Sequence, residues 1–259
     1  MPKKFYAHSL PDKPPDEWQC LDNHLKAVAL KAKSFAEIFD SSAWAQAASI
    51  LHDLGKAHPD FQAYLFRENG LDASEYDGES TGNRINHSGA GAIFACERWN
   101  NIIGKTLSYL VAGHHAGLPD WFGGADSLPA RIKHEQHIID KVRLYAEKFI
   151  DLLPAVLKPP TFAMQCRNQE AVAYHLWVRM LYSCLVDADF LNTEAFMDTA
   201  KHALRPTFPL LSELKVLFDQ KLQEKIISAP DTIINTARAD ILAACRAAAG
   251  LEPGLFSLT

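Results

Sequence analysis

An all-α fold is predicted by three features of the sequence. Apolar residues recur at spacings of three and four along most of the chain, capping residues and glycines bound the recurring segments, and no stretch forms a convincing run of alternating strand residues. The first helix spans about residues 22–39, where Leu21, Leu25, Val28, Ala32, Phe35 and Phe39 make one apolar face. Ser42 reads as the N-cap of the second, which carries Trp44, Ala47, Ala48 and Leu51 and is stopped by Gly55. Further helical patterns cover about 59–67, 88–100, 103–113, 129–153, 169–194, 210–227 and 232–249. Two polar segments interrupt them: residues 68–86, with Gly70, Gly78 and Gly82, and residues 116–128, with Gly117, Gly123 and Gly124. Loops beyond roughly 12–15 residues are uncommon in compact domains unless they serve a function or are disordered. Both lie beside histidines, so both read as functional loops.

Bulk properties narrow the class. A chain of 259 residues with 48% hydrophobic content buries a sizeable core and reads as one large domain, residues 1–259. Cys20, Cys96, Cys166, Cys184 and Cys245 are widely spaced without a Cys-x-x-Cys pair, which points away from a thiolate zinc site or a disulfide framework and fits a reducing cytosol. No uninterrupted apolar run approaches the roughly 18 residues of a membrane span, and Met1–Leu10 lacks the apolar stretch of a signal peptide. A soluble, cytoplasmic protein is therefore expected. The net charge of -5 argues against a broad basic surface, so any nucleic acid must be gripped locally or by metal.

The strongest local signal is His52-Asp53-Leu54-Gly55-Lys56, at the end of a predicted helix. Adjacent residues inside a helix point about 100° apart, so His52 and Asp53 converge on one metal cluster only where the helix ends. An ordinary polar terminus, with His52 at the negative end of the helix dipole, explains the pentapeptide equally well. The layout recurs in His114-His115-Ala116-Gly117 after the apolar residues 107–111, and paired neutral imidazoles suit a transition metal. Surface histidines in a turn would be the plain account of that doublet if it stood alone. His24 sits beside Leu25 and four residues before Val28, toward the buried face. His87 precedes Ser88-Gly89-Ala90-Gly91, where small residues permit close approach. Singly, each is more often a satisfied histidine than a ligand; together with two doublets they favour a metal cluster. The helix carrying Leu176, Met180, Leu181, Cys184, Leu185 and Val186 then runs into Asp187-Ala188-Asp189. Carboxylates are rarely buried unless paired or bound to metal, so one of the two reads as a ligand and the other as a cap, an ion-pair partner or a support for a histidine.

The ordered set resembles the HD phosphohydrolase superfamily. More narrowly, Tyr6-Ala7-His8-Ser9, Trp18, Asn23-His24-Leu25, His52-Asp53-Leu54-Gly55-Lys56, Asn86-His87-Ser88, Gly113-His114-His115-Ala116-Gly117 and Leu185-Val186-Asp187-Ala188-Asp189 resemble the HD nuclease domain of the type I CRISPR-associated helicase-nuclease. The resemblance runs over about residues 5–194, leaving C-terminal helices at about 205–250. It implies a compact helical HD fold and a metal-dependent endo- or exonuclease that hydrolyses single-stranded DNA in CRISPR antiviral interference. It further implies that His24, His52, Asp53 and the late Asp hold one ion, that Asp53, His87, His114 and His115 hold a second, and that Asp53 bridges them. Asp189 is favoured as the late ligand because Ala188-Asp189-Phe190-Leu191 resembles a form common in HD proteins; Asp187 is the alternative. The resemblance also implies a helicase partner, in the same longer protein or a separate subunit, and an RNA-guided surveillance complex. Residues 254–259 resemble the strand leading into a helicase phosphate-binding loop, but no Gly-x-x-x-x-Gly-Lys-Ser/Thr motif occurs, so ATP binding at such a loop is not expected.

Two divalent ions about 3.5–4 Å apart clamp the attacking and leaving oxygens of a phosphodiester and bring bound water toward a neutral pKa. They also dominate the local field of an otherwise acidic protein. Histidine-rich coordination suits Mn, Fe, Co, Ni or Zn. Lys56 is a candidate for binding a nonbridging phosphate oxygen, against the plain reading of a solvated lysine at a helix end. Candidate nucleic-acid contacts are Ser88, Arg131, Lys133, Lys141 and Arg143, with Trp121 and Phe122 as base-stacking candidates. For the charges and aromatics a solvated helix face and loop anchoring are the favoured readings. Two rivals remain: an HD phosphohydrolase acting on nucleotides or cyclic nucleotides, and a non-catalytic module that docks a helicase or surveillance complex.

Overall fold

The helical periodicity is realised in the computed structural model, which describes residues 4–76, 87–99, 101–124, 127–164, 170–205 and 209–252. The chain divides into two compact units, Met1–Ala203 and Leu204–Thr259. The first contains α1 (Leu21–Phe35), α2 (Ser42–Leu51), α3 (Pro59–Glu68), α4 (Ser88–Arg98), α5 (Ile102–Gly113), α6 (Leu128–Glu147), α7 (Thr161–Met164) and α8 (Glu170–Met197), followed by the short α9 (Thr199–Leu204) at its boundary. The second contains α10 (Leu211–Ile227) and α11 (Ile233–Ala248), tied by the Arg246–Asp219 ion pair. Neither α10 nor α11 has a buried side chain. No described helix is long and apolar enough to cross a membrane.

Around the core of the first unit, α1 packs on α2 and α8, while α4 packs on α5 and α6. The expected apolar face of α1 is buried through Leu21, Leu25, Val28 and Ala32. Each such leucine stabilises the fold by about 1.5–3 kcal/mol relative to exposure. The helix itself ends at Phe35, and Phe39 belongs to a separate 3₁₀ turn. Trp44 and Trp177 meet edge to face at 4.8 Å in the centre, and their indole N–H groups donate to Lys158 O and Ser41 Oγ. Ser41, rather than Ser42, is therefore the residue preceding α2, and its hydroxyl is committed to packing instead of capping.

Two further expectations change on contact with the fold. Gly55 does not stop α2, which ends at Leu51; it lies inside a 3₁₀ turn, Leu54–Ala57. Glycine is needed there because a Cβ would come 2.0 Å from the His87 carbonyl oxygen. One turn further on, Gly91 plays the same part, with a Cβ that would come 1.8 Å from Leu51 O. The end of α2 and the start of α4 thus touch backbone to backbone. The second change is a small antiparallel ribbon, β1 (Tyr6–His8) and β2 (Gln19–Cys20), too short to produce an alternating pattern. Buried Gln62 completes the edge of β1, accepting from Tyr6 N–H at 3.0 Å and donating to Tyr6 O at 2.9 Å. Beneath it Tyr6, Trp18, Ala63, Phe66 and Tyr76 form a separate aromatic cluster.

Of the first long loop, Ser74–Tyr76 forms a 3₁₀ turn anchored by buried Tyr76; Gly78, Gly82 and Asn86 lie outside the described residues. The second is pinned by Trp121, stacked on Tyr109 at 5.7 Å, and by Leu128 N–H donating to Asp120 O. The ends expected at Asn100 and Gln169 and the closing 254–259 segment also lie outside the described residues.

Gly55→Ala is expected to lower the unfolding free energy by about 1–3 kcal/mol in a urea titration, the usual cost of overpacking. Gly124→Ala, whose Cβ meets nothing within 4 Å, serves as the control and should change stability by less than about 0.5 kcal/mol. Equal stability of the two variants would refute the close approach.

Candidate metal centre

His52 and His114 arrive by the same local device. Each directly follows the last residue of its helix, α2 or α5, and is still in the helical conformation. Each donates its Nδ1–H to the carbonyl three residues back, His52 to Ser49 O at 2.7 Å and His114 to Val111 O at 2.6 Å. Carbonyls of a last turn have no partner within the helix, so the imidazole caps the helix with one nitrogen. The other, Nε2, is left free of the helix and points onward, the position from which a neutral imidazole ligates. The helix-terminus reading of the His52 pentapeptide and the ligand reading are therefore two sides of one ring.

These ring nitrogens converge on Asp53, which is 1% exposed. On its Oδ2 side lie His24 Nε2 at 3.3 Å and His52 Nε2 at 3.4 Å, and Asp189 Oδ1 lies 3.3 Å from His24 Nε2. On its Oδ1 side lie His87 Nε2 at 3.3 Å and His114 Nε2 at 3.4 Å, with His115 Nε2 2.7 Å from His87 Nε2. His24, His52, Asp53 and Asp189 offer ligand atoms within 4.8 Å of one another, as do Asp53, His87, His114 and His115. Metal bonds of about 2.0–2.2 Å put neighbouring donors roughly 3 Å apart, so both groups have the spacing of a coordination shell. Asp53 Oδ1 and His114 Nε2 are buried without a hydrogen-bond partner among the described residues. Buried polar atoms are normally satisfied, and atoms left so at the centre of a donor cluster fit a cation.

The electrostatics divide along the same line. Burial opposes charge on His52, but the Asp53 and Asp189 carboxylates outweigh it and raise the imidazole to about 10. Burial also opposes ionisation of Asp53, yet Lys56 and His52 hold it well below the usual carboxylate range. Asp189 is held down against burial by His24 and His52. On the other side burial lowers His87 to about 3, and burial with His114 lowers His115 to about 4. Those two imidazoles are neutral, as ligands must be.

Lys56 is not the solvated lysine of the plain reading: it is 5% exposed, with Nζ 2.8 Å from Asp53 Oδ2 and 3.2 Å from His8 Nε2. Asp187 is exposed and outside both groups, whereas Asp189 is in one of them. The nucleic-acid candidates lie elsewhere. Arg131 reaches inward to Ser88 Oγ and Ala112 O, Ser88 itself is buried, and Arg143 pairs with Glu97 and Asp140. Lys133 and Lys141 are exposed on α6, Phe122 is 87% exposed, and Trp121 is partly buried under Lys105. None of them lines the cavity of about 400 Å³ that opens over the cluster, bounded by His8, Lys56, His115, Asp189, Phe190, Thr193, Glu194, Asp198 and Lys201. His8 and the α8 residues after Asp189 received no role from sequence reasoning. Only the presence of His8 in Tyr6-Ala7-His8-Ser9 signalled it.

Among comparisons with known proteins, the family described as "Cas3, HD domain" matches residues 17–188. No curated protein matches the chain.

The geometry separates the two late carboxylates experimentally. Asp189→Asn should weaken Mn²⁺ binding in calorimetry by on the order of 100-fold, at the upper end of what supporting residues alone produce. Asp187→Asn should bind as the unmodified protein does; the reverse order would move the ligand to Asp187.

Proposed function

The chain belongs to the Cas3 HD-domain family, and on that premise we propose that it hydrolyses phosphodiester bonds of single-stranded DNA with bound divalent metal. Membership places it among metal-dependent phosphohydrolases of CRISPR defence; the strand specificity and the residue roles are our reading. The observation that carries this reading is that the two oxygens of Asp53 each face a separate donor group. His24, His52, Asp53 and Asp189 would hold one cation and Asp53, His87, His114 and His115 a second. Such cations activate water near neutral pH and neutralise charge building on a phosphate. The donor set, rich in imidazole, suits Mn, Fe, Co, Ni or Zn better than an all-oxygen magnesium site.

The remaining residues bind and orient. Lys56, fixed by Asp53 and His8, lines the cavity, where its ammonium group would hold a nonbridging phosphate oxygen. Phe190, 64% exposed at the rim beside Asp189, offers an apolar face to a base. Acidic Glu194 and Asp198 share the wall, and Lys201 is paired with Glu194 at 3.1 Å. Protein charge alone therefore does not attract a phosphodiester here, which makes the cations necessary for binding as well as for chemistry. A cavity open to solvent favours a passing strand over an enclosed nucleotide. A helicase, in the same longer protein or a separate subunit, and an RNA-guided surveillance complex are the partners this reading implies.

With Mn²⁺ or Ni²⁺ added, single-stranded DNA should be cut, and a chelator should stop the reaction. A panel of nucleotides and cyclic nucleotides should remain intact. Asp53→Ala should cut cleavage by at least about 100-fold, more than loss of a supporting partner costs. Turnover of nucleotides without DNA cleavage would reject the proposed substrate, and full cleavage by the Asp53→Ala protein would reject the bridge.

A further inference from the structure

Lys56 and His24 are joined by a second route that avoids the ligand atoms. Lys56 Nζ lies 3.2 Å from His8 Nε2, and His8 Nδ1 lies 2.8 Å from Gln19 Oε1. Gln19 Nε2 donates to Asn192 Oδ1 at 2.9 Å, and the same oxygen lies 2.8 Å from His24 Nδ1. His24 Nε2 and Lys56 Nζ both return to Asp53 Oδ2, closing a ring.

Each proton in this ring follows from the previous one. An ammonium group only donates, so His8 Nε2 must accept, and the neutral ring then carries its hydrogen on Nδ1. That N–H requires an acceptor, which assigns Oε1 of Gln19 to His8 and its amide nitrogen to Asn192. Asn192 Oδ1 is thereby an acceptor and takes a second hydrogen bond from His24. His24 must then be protonated on Nδ1, which leaves Nε2 bare toward Asp53 and Asp189. A lysine on one side of the centre thus dictates the tautomer of a ligand on the other, through residues of β1, β2 and α8.

We propose that His8, Gln19 and Asn192 form a positioning relay that holds His24 in its ligating tautomer and Lys56 in register with Asp53. The proposal rests on the metal-centre reading above, and its tests separate the two. Asn192→Leu removes the acceptor and should weaken Mn²⁺ binding by roughly 10- to 100-fold in calorimetry, the range for lost supporting partners of ligating histidines. Asn192→Asp keeps an oxygen acceptor for His24 and should bind at least as tightly as the unmodified protein. A merely structural role would make the two variants fall together, and that result, or unchanged affinity in Asn192→Leu, overturns the relay. Independently, ¹⁵N spectra of histidine-labelled full chain should show His8 as the Nδ1–H tautomer, and Lys56→Met should relax that preference. An Nε2–H tautomer at His8 overturns the relay even if Asn192→Leu proves poorly folded. If the unmodified chain binds no Mn²⁺ at all, the metal reading fails, and the His8 spectrum still decides the relay.

Discussion

Asp53 is a carboxylate sealed from water, and the rest of the centre answers the cost of placing it there. An isolated buried charge is expensive, and a pair is tolerated only when the geometry supplies compensating charge and hydrogen bonds. One oxygen receives them from Lys56, whose ammonium lies 2.8 Å away. The other faces His87 and His114 at 3.3 and 3.4 Å without a completed hydrogen bond. A centre half compensated by its own protons and half left open is what a cation-binding carboxylate requires. Under the proposed function, the positive charge that offsets the acidic overall charge for a phosphodiester would come from cations held at that open side.

Much of this was legible in the sequence because it is written in local pattern. The spacing of apolar residues marked the longer helices to within a few residues, except that 129–153 merged α6 with a later 3₁₀ turn, Ile150–Leu152; the short α7 and α9 fell between the expected segments and were missed. The histidine doublets stood out because two helix ends carry the same arrangement, and His24 was placed on a buried face from its neighbours alone. These are properties of one segment at a time.

What was illegible depends on which segments meet. Gly55 looked like a helix stop because glycine often is one; its need arises from the carbonyl of His87, remote in sequence. Lys56 is polar and follows a helix end, so solvation was nearly as natural a reading as phosphate contact, and its burial was not foreseen. β1 and β2 are too short to show alternation, which hid His8 and Gln19. Asn192 lies in the long α8, where nothing local distinguishes it from any other polar residue. Choosing between Asp187 and Asp189 required the phase of that helix, which a difference of two positions rotates by about 200°.

The backbone contacts at Gly55 and Gly91 bear on how such a site endures sequence drift. Main chains in direct touch leave no intervening packing layer whose repacking would translate into ligand movement. The donor atoms of His52, Asp53 and His87 ride on short levers from that rigid crossing, a side chain's length away. Exchanges among apolar residues deeper in the bundle can therefore alter how firmly the domain is folded while the spacing around Asp53 stays set, and the tolerance for change is decoupled between scaffold and centre.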